Sequence, residues 1–158
     1  MKKILGLLLA ALFLASTLAQ ADPATEKEIT KLIMDGNAYT RKNLKDSPDT
    51  YSKEGALEFW SSGGLAQELT AGGSPTEYES FNMSLKYIQV ITLVPGQAAV
   101  AMYYSEGSWK PKGGPAVDHY FTRATQAYVK EDGKWKLRAS HWSPVVGGKG
   151  TDQTSVAE

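Results

Sequence analysis

Apolar and polar positions alternate most regularly between Val117 and Pro144, where the chain reads VDHYFTRATQAYVKEDGKWKLRASHWSP. Two runs of period two flank Asp132-Gly133, a pair that suits a tight hairpin because both turn positions need positive φ. The pattern predicts two long strands. On the second, Trp135, Leu137, Ala139, His141 and Ser143 share one face, while Lys136 and Arg138 point the other way. Register decides which face of the first strand joins them. A two-residue turn pairs Glu131 with Lys134 and Tyr128 with Leu137, and brings Tyr120, Thr122, Ala124, Gln126 and Tyr128 onto the face of Trp135 and His141. A three-residue turn with a Gly bulge brings Phe121, Arg123 and Thr125 in instead. The first arrangement groups the uncharged side chains and is preferred.

Upstream the period changes. Ile29, Leu32, Ile33, Gly36 and Thr40 recur at spacings of three and four, which predicts an amphipathic helix from Thr25 to Leu44. Thr25 and Glu28 fit a capping box, Arg41 and Lys42 suit the negative pole of the helix, and Ser47-Pro48-Asp49 ends it. Residues 51–70 are ambiguous. Leu57-Glu58-Phe59-Trp60 fits either the continuation of a short helix or a short strand, and Leu65 to Leu69 fits a turn of helix. Phe81 to Leu93 alternates as a strand, Pro95-Gly96 makes a turn, and Ala98 to Ser105 makes the next strand. Glu106 to Ala116 holds three Gly and two Pro and reads as a loop. Trp109 within it serves either as a lid or as an aromatic folded back on the sheet edge. A helix followed by consecutive antiparallel strands argues an α+β fold, with the helix on one face of a bent sheet.

The closing hairpin carries three motifs: Arg123-x-Thr125-x-x-Tyr128, then Asp132-Gly133-Lys134-Trp135, then His141-x-Ser143. Together they resemble the same hairpin in the nuclear-transport-factor-2-like superfamily, especially its SnoaL-like domains and the association domain of calcium/calmodulin-dependent kinase. The resemblance implies a cone-shaped half-barrel in which N-terminal helices pack on a strongly bent, mainly antiparallel sheet. It also implies a second short helix and a small strand within 51–70, a cavity where helix and sheet diverge, and pairing through the sheet into a homodimer. Function stays open, because this superfold hosts enzymes, binding modules and assembly domains alike.

Lys2 and Lys3, the apolar run Ile4 to Leu14 and Ala19-Gln20-Ala21 predict a cleaved signal peptide over residues 1–21. That run is shorter than the roughly 20 residues a membrane span needs, so no membrane insertion is expected after cleavage and the mature chain is periplasmic or secreted. A single domain over 22–146 and a disordered polar tail over 147–158 follow. The chain has no Cys, which excludes disulfides and thiol chemistry. Without Lys2 and Lys3, 15 basic residues remain against 17 acidic, a net charge of −2 with no basic patch, so nucleic acid is not an expected partner.

Candidate chemistry is sparse. The chain has two His and no metal-ligand spacing, and no Gly loop follows a strand and opens a helix, so no metal or other cofactor is expected. A pocket for a small-molecule ligand is expected from Trp60, Tyr120, Gln126 and His141. His141 is the acid/base candidate, since imidazole titrates near neutrality. It is expected to face inward opposite Ala124, with Gln126, Thr122, a water or a ligand as hydrogen-bond partner. His119 faces away in the preferred register, and neither Asp35 nor Asp118 falls on a pocket face. Trp60 is either a cavity wall or a core residue. Three readings remain: an exported small-molecule-binding domain, a cyclase- or isomerase-type enzyme using His141, and a non-catalytic oligomerisation module.

Overall fold

The computed structural model describes residues 21–73 and 75–145. The expected signal peptide, apart from Ala21, and the expected tail over 147–158 fall outside the described residues. One helix, α1 (Pro23–Asn43), precedes six strands: β1 (Ala56–Phe59), β2 (Gln67–Leu69), β3 (Tyr78–Val94), β4 (Ala98–Pro111), β5 (Val117–Glu131) and β6 (Lys134–Pro144). They form one open sheet in the order β2-β1-β6-β5-β4-β3. Among the described residues, β1–β6 is the only parallel pair of named strands.

The helix begins one turn earlier than its capping pattern suggested. Asp22 is the N-cap, accepting from the Ala24 amide at 3.3 Å and from the Thr25 hydroxyl at 2.6 Å. Glu28 leaves the helix start altogether and accepts from Trp135 Nε1 at 2.6 Å and Lys130 Nζ at 2.7 Å. Two groups of the closing hairpin thus win over a local capping bond. Ile29 and Ile33 pack against Ala99, Ala101 and Tyr103 on the inner face of β4, in a core completed by Ala124, Tyr128, Trp135 and Leu137. Burying a side chain such as Ile29 contributes about 1.5–3 kcal/mol. At its far end α1 donates from Asn37 Nδ2 to the Met83 carbonyl at 3.2 Å, and Leu44 closes it with φ 50°.

The second short helix implied by the resemblance is absent from the described residues. Residues 51–70 instead give β1 and β2, and the chain reaches β1 past Tyr51, which lies opposite Leu137 while Thr50 and Ser52 bond to the Leu137 backbone. The loop expected over 106–116 is likewise mostly strand, for β4 runs on to Pro111. Trp109 is no lid. It packs edge-on against Tyr78 and Tyr120 in a second cluster with Met83 and Val117.

Five register shifts interrupt the ladders among the described residues, three of them notable. Tyr87 in β3 has φ 54° at a register shift, Gly107 in β4 has φ 151° at another, and a third lies where Tyr128 pairs with Leu137 while Ala127 pairs with Ala139. Arg138 is the unpaired extra residue of that last bulge. The hairpin turn itself is as expected: Asp132 and Gly133 have φ 49° and 76°, and Glu131 pairs with Lys134.

Candidate functional site

The inner face of the sheet is unusually polar where β1, β6 and β5 meet. Register places Glu58 beside Ser140, Ser140 beside Gln126, and Gln126 beside Ala101, so three polar side chains follow one another across the sheet. All three are buried. Ser140 Oγ donates to Glu58 Oε1 at 2.7 Å and Trp60 Nε1 donates to Oε2 at 3.0 Å. Gln126 Oε1 accepts from both Tyr103 at 2.9 Å and Tyr128 at 2.6 Å. One step along β5, beyond Thr122, the Tyr120 hydroxyl lies 3.2 Å from Ser61 Oγ.

The electrostatics follow from burial. Desolvation pushes the Glu58 carboxyl above the ordinary carboxylate range, and the hydrogen bonds from Ser140 and Trp60 offset this only in part. Asp46, in the segment between α1 and β1, is also pushed up by burial, against the hydrogen bond from Tyr78 at 2.7 Å. Burial raises the Tyr103 and Tyr128 hydroxyls well above their usual value, and the Glu58 charge adds to this, so both stay neutral donors. None of the ion pairs among the described residues reaches Glu58 or Asp46.

Of the residues expected to line a pocket, Trp60, Tyr120 and Gln126 come to this inner face, with Trp60 at its rim. His141 does not. It pairs with Thr125, not Ala124, lies exposed on the outer face, and meets Phe59 edge-on at 5.8 Å. The bulge at Arg138 is the reason: one extra residue reverses the alternation, so Trp135 and Leu137 face in, then Ser140 and Trp142. An acid/base role for His141 within the cone loses its geometry. His119 and Asp118 are exposed, and Asp35 is exposed and paired with Lys31.

Glu58 was missed because its surroundings read equally as helix or strand. The signal was present nonetheless: as a strand, Ala56, Glu58 and Trp60 share one face. Two open concavities flank α1, one of about 430 Å³ beside Trp135, Glu28 and Lys130, the other of about 470 Å³ beside Met34, Arg41 and Leu85. Neither reaches Glu58, Gln126 or Tyr120. Among the described residues no group of three or more His, Asp or Glu could hold a metal ion, and no helix is long and apolar enough to cross a membrane.

No protein-family model and no curated protein matches the chain. Solved structures do. A provisionally assigned aromatic ring hydroxylase from Novosphingobium aromaticivorans superposes with a TM-score of 0.60 at 22% identity, over 84% of this chain and 96% of that one. An NTF2-like protein of unknown function from Pseudomonas putida KT2440 gives 0.54 at 19% identity, over 87% and 100%. Another, from Prochlorococcus sp. NATL2A, gives 0.51 at 17%, over 82% and 95%. The chain has the NTF2-like fold. Proteins of the NTF2-like fold are ligand-binding, enzymatic or association domains. Here the NTF2-like sheet is served by one helix, and β1 and β2 occupy the stretch where a second was expected.

Proposed function

We propose that the chain is an exported small-molecule-binding domain whose ligand lies against the row formed by Glu58, Ser140 and Gln126. One observation carries this reading: Glu58 is buried with neutral partners alone. A core built only for stability favours apolar side chains there, because a buried charge without a counter-ion costs several kcal/mol. Desolvated, perturbed carboxylates gather at functional sites. Trp60, Tyr120 and Gln126 belong to the proposed site, and Glu58 takes the place expected of His141. Protein purified from the periplasmic fraction should carry a small molecule that native mass spectrometry detects and denaturation releases. A bare chain, with no thermal shift across aromatic acids and steroids, would refute the binding reading. The denatured mass should start at Asp22, and a full-length mass would refute export.

A second reading, association into a homodimer through the outer sheet face, is favoured by a different observation. Leu57, Phe59, Ile91, Leu93, Met102 and Tyr104 are all exposed, and the rings of Tyr87, Tyr104 and Phe121 follow one another at 6.2 and 6.1 Å. Apolar faces of this kind mark contact surfaces. Phe121 and Val129 also face outward. Trp142 packs edge-on against Tyr103 inside, and Lys136 is buried against the Asp49 carbonyl at 2.6 Å. Light scattering at tens of micromolar should give a dimer, and Met102→Lys with Tyr104→Lys should give a folded monomer. A monomeric parent protein would refute the association.

A further inference from the structure

Within the small-molecule-binding reading, the charge balance of the interior narrows the ligand. Glu58 is 7% exposed, and its two oxygens receive one hydroxyl and one indole N–H. Neither donor carries charge. The other carboxylate whose field reaches it is Asp46, of the same sign. The lysines of the hairpin turn elsewhere: Lys130 lies over Trp135 and pairs with Glu28, while Lys134 and Lys136 pair with Asp49. None of the ion pairs among the described residues therefore gives Glu58 a cationic partner.

Three of the rings on this inner face have their polar ends occupied. Trp60 spends its N–H on Glu58, and Tyr103 and Tyr128 spend their hydroxyls on Gln126. Trp142 stands edge-on to Tyr103 with ring centroids 5.8 Å apart. What Trp60, Tyr103 and Tyr128 still offer a ligand is aromatic carbon, whose faces attract cations. Trp60 and Trp142 are half-buried. Inward neighbours on the strands are small, with Ala101, Ala124 and Ser140 in adjoining positions.

We infer that the interior site takes an organic cation, a small molecule bearing a substituted ammonium group, with Glu58 as counter-ion and the Trp60 and Trp142 rings beside it. An anionic ligand would meet Glu58 with nothing to offset it. A neutral ligand would leave the carboxylate as costly as before. A substituted ammonium supplies the missing charge, sheds its water more readily than a bare ammonium, and suits aromatic walls.

The test uses choline and its uncharged carbon isostere 3,3-dimethylbutan-1-ol as probes of the mature protein, read by tryptophan fluorescence titration. Choline should bind at least roughly tenfold more tightly than the alcohol, the size expected of a desolvated cation–aromatic contact with a counter-ion. Glu58→Gln keeps an acceptor for Trp60 and can donate to Ser140, so it should remain folded by circular dichroism while losing the preference for choline. Equal binding of the two probes, or undiminished choline binding by Glu58→Gln, overturns the cation assignment and leaves the binding reading standing. Failure of choline to bind at all also overturns it, and the co-purified mass then decides separately whether the interior binds any ligand. If Glu58→Gln unfolds, Trp60→Phe replaces it. That variant should lower choline affinity more than alcohol affinity, and an equal loss for both counts against the proposal.

Discussion

Gly107→Ala should cost about 3 kcal/mol or more of folding stability, the scale of a forced backbone clash at a strained position. Gly107 lies in the middle of β4, opposite Met83 of β3 and Tyr120 of β5, with φ 151°. A Cβ there would stand 2.0 Å from the Asn82 carbonyl oxygen and 3.0 Å from its carbon. Both are backbone atoms of a paired strand, so no side-chain rotation relieves the contact. Gly96 is the control: its φ is 65°, but an added Cβ meets nothing within 4 Å. Gly96→Ala should lose only about 1 kcal/mol, the conformational cost of a left-handed non-glycine residue. Urea denaturation of both variants decides the matter, and a loss at Gly107 no larger than at Gly96 would refute the close approach.

Gln126→Leu should be nearly as damaging, for a different reason. The substitution removes the one acceptor shared by Tyr103 and Tyr128 and leaves two buried hydroxyls unpaired. Each orphaned group costs about 1–3 kcal/mol, so a total loss of about 2–6 kcal/mol is expected. Adding Tyr103→Phe and Tyr128→Phe to Gln126→Leu should recover much of it, because an interior with neither donors nor acceptor has nothing left unsatisfied. A denaturation cycle through the single, double and triple variants measures the coupling. Additive losses would mean that the three groups do not act together.

The parts of the fold legible in the sequence are those decided locally. Asp132-Gly133 fixes the hairpin because the turn chemistry lies in the two residues themselves, and alternation from Tyr120 to Tyr128 locates the inner face of β5. His141 was misplaced because the bulge at Arg138 is decided from outside the hairpin. Beside it the neighbouring chain breaks off its pairing: Thr50 and Ser52 bond to Leu137, Gly55 turns with φ 77°, and pairing resumes at Leu57 with Ala139. Arg138 spans the gap and donates to the Gly55 carbonyl at 3.3 Å. No residue within β6 announces this. The polar row was hidden for the same reason, since Glu58 belongs to a four-residue strand whose direction depends on a partner at the other end of the chain.

The parallel pairing of β1 with β6 also sets an order of assembly. Glu58 and Ser140 are 82 residues apart, and the hairpin that presents Ser140 comes last in the chain. β3, β4, β5 and β6 can zip up through successive short turns, whereas β1 must wait for β6 and then close a long loop, a slow step for non-local contacts. Until it does, the edge of β6 is bare and the Glu58 carboxylate remains hydrated. The folding event expected to come last is therefore the one that takes this charge out of water, with the free energy gained by completing the sheet edge to offset the cost.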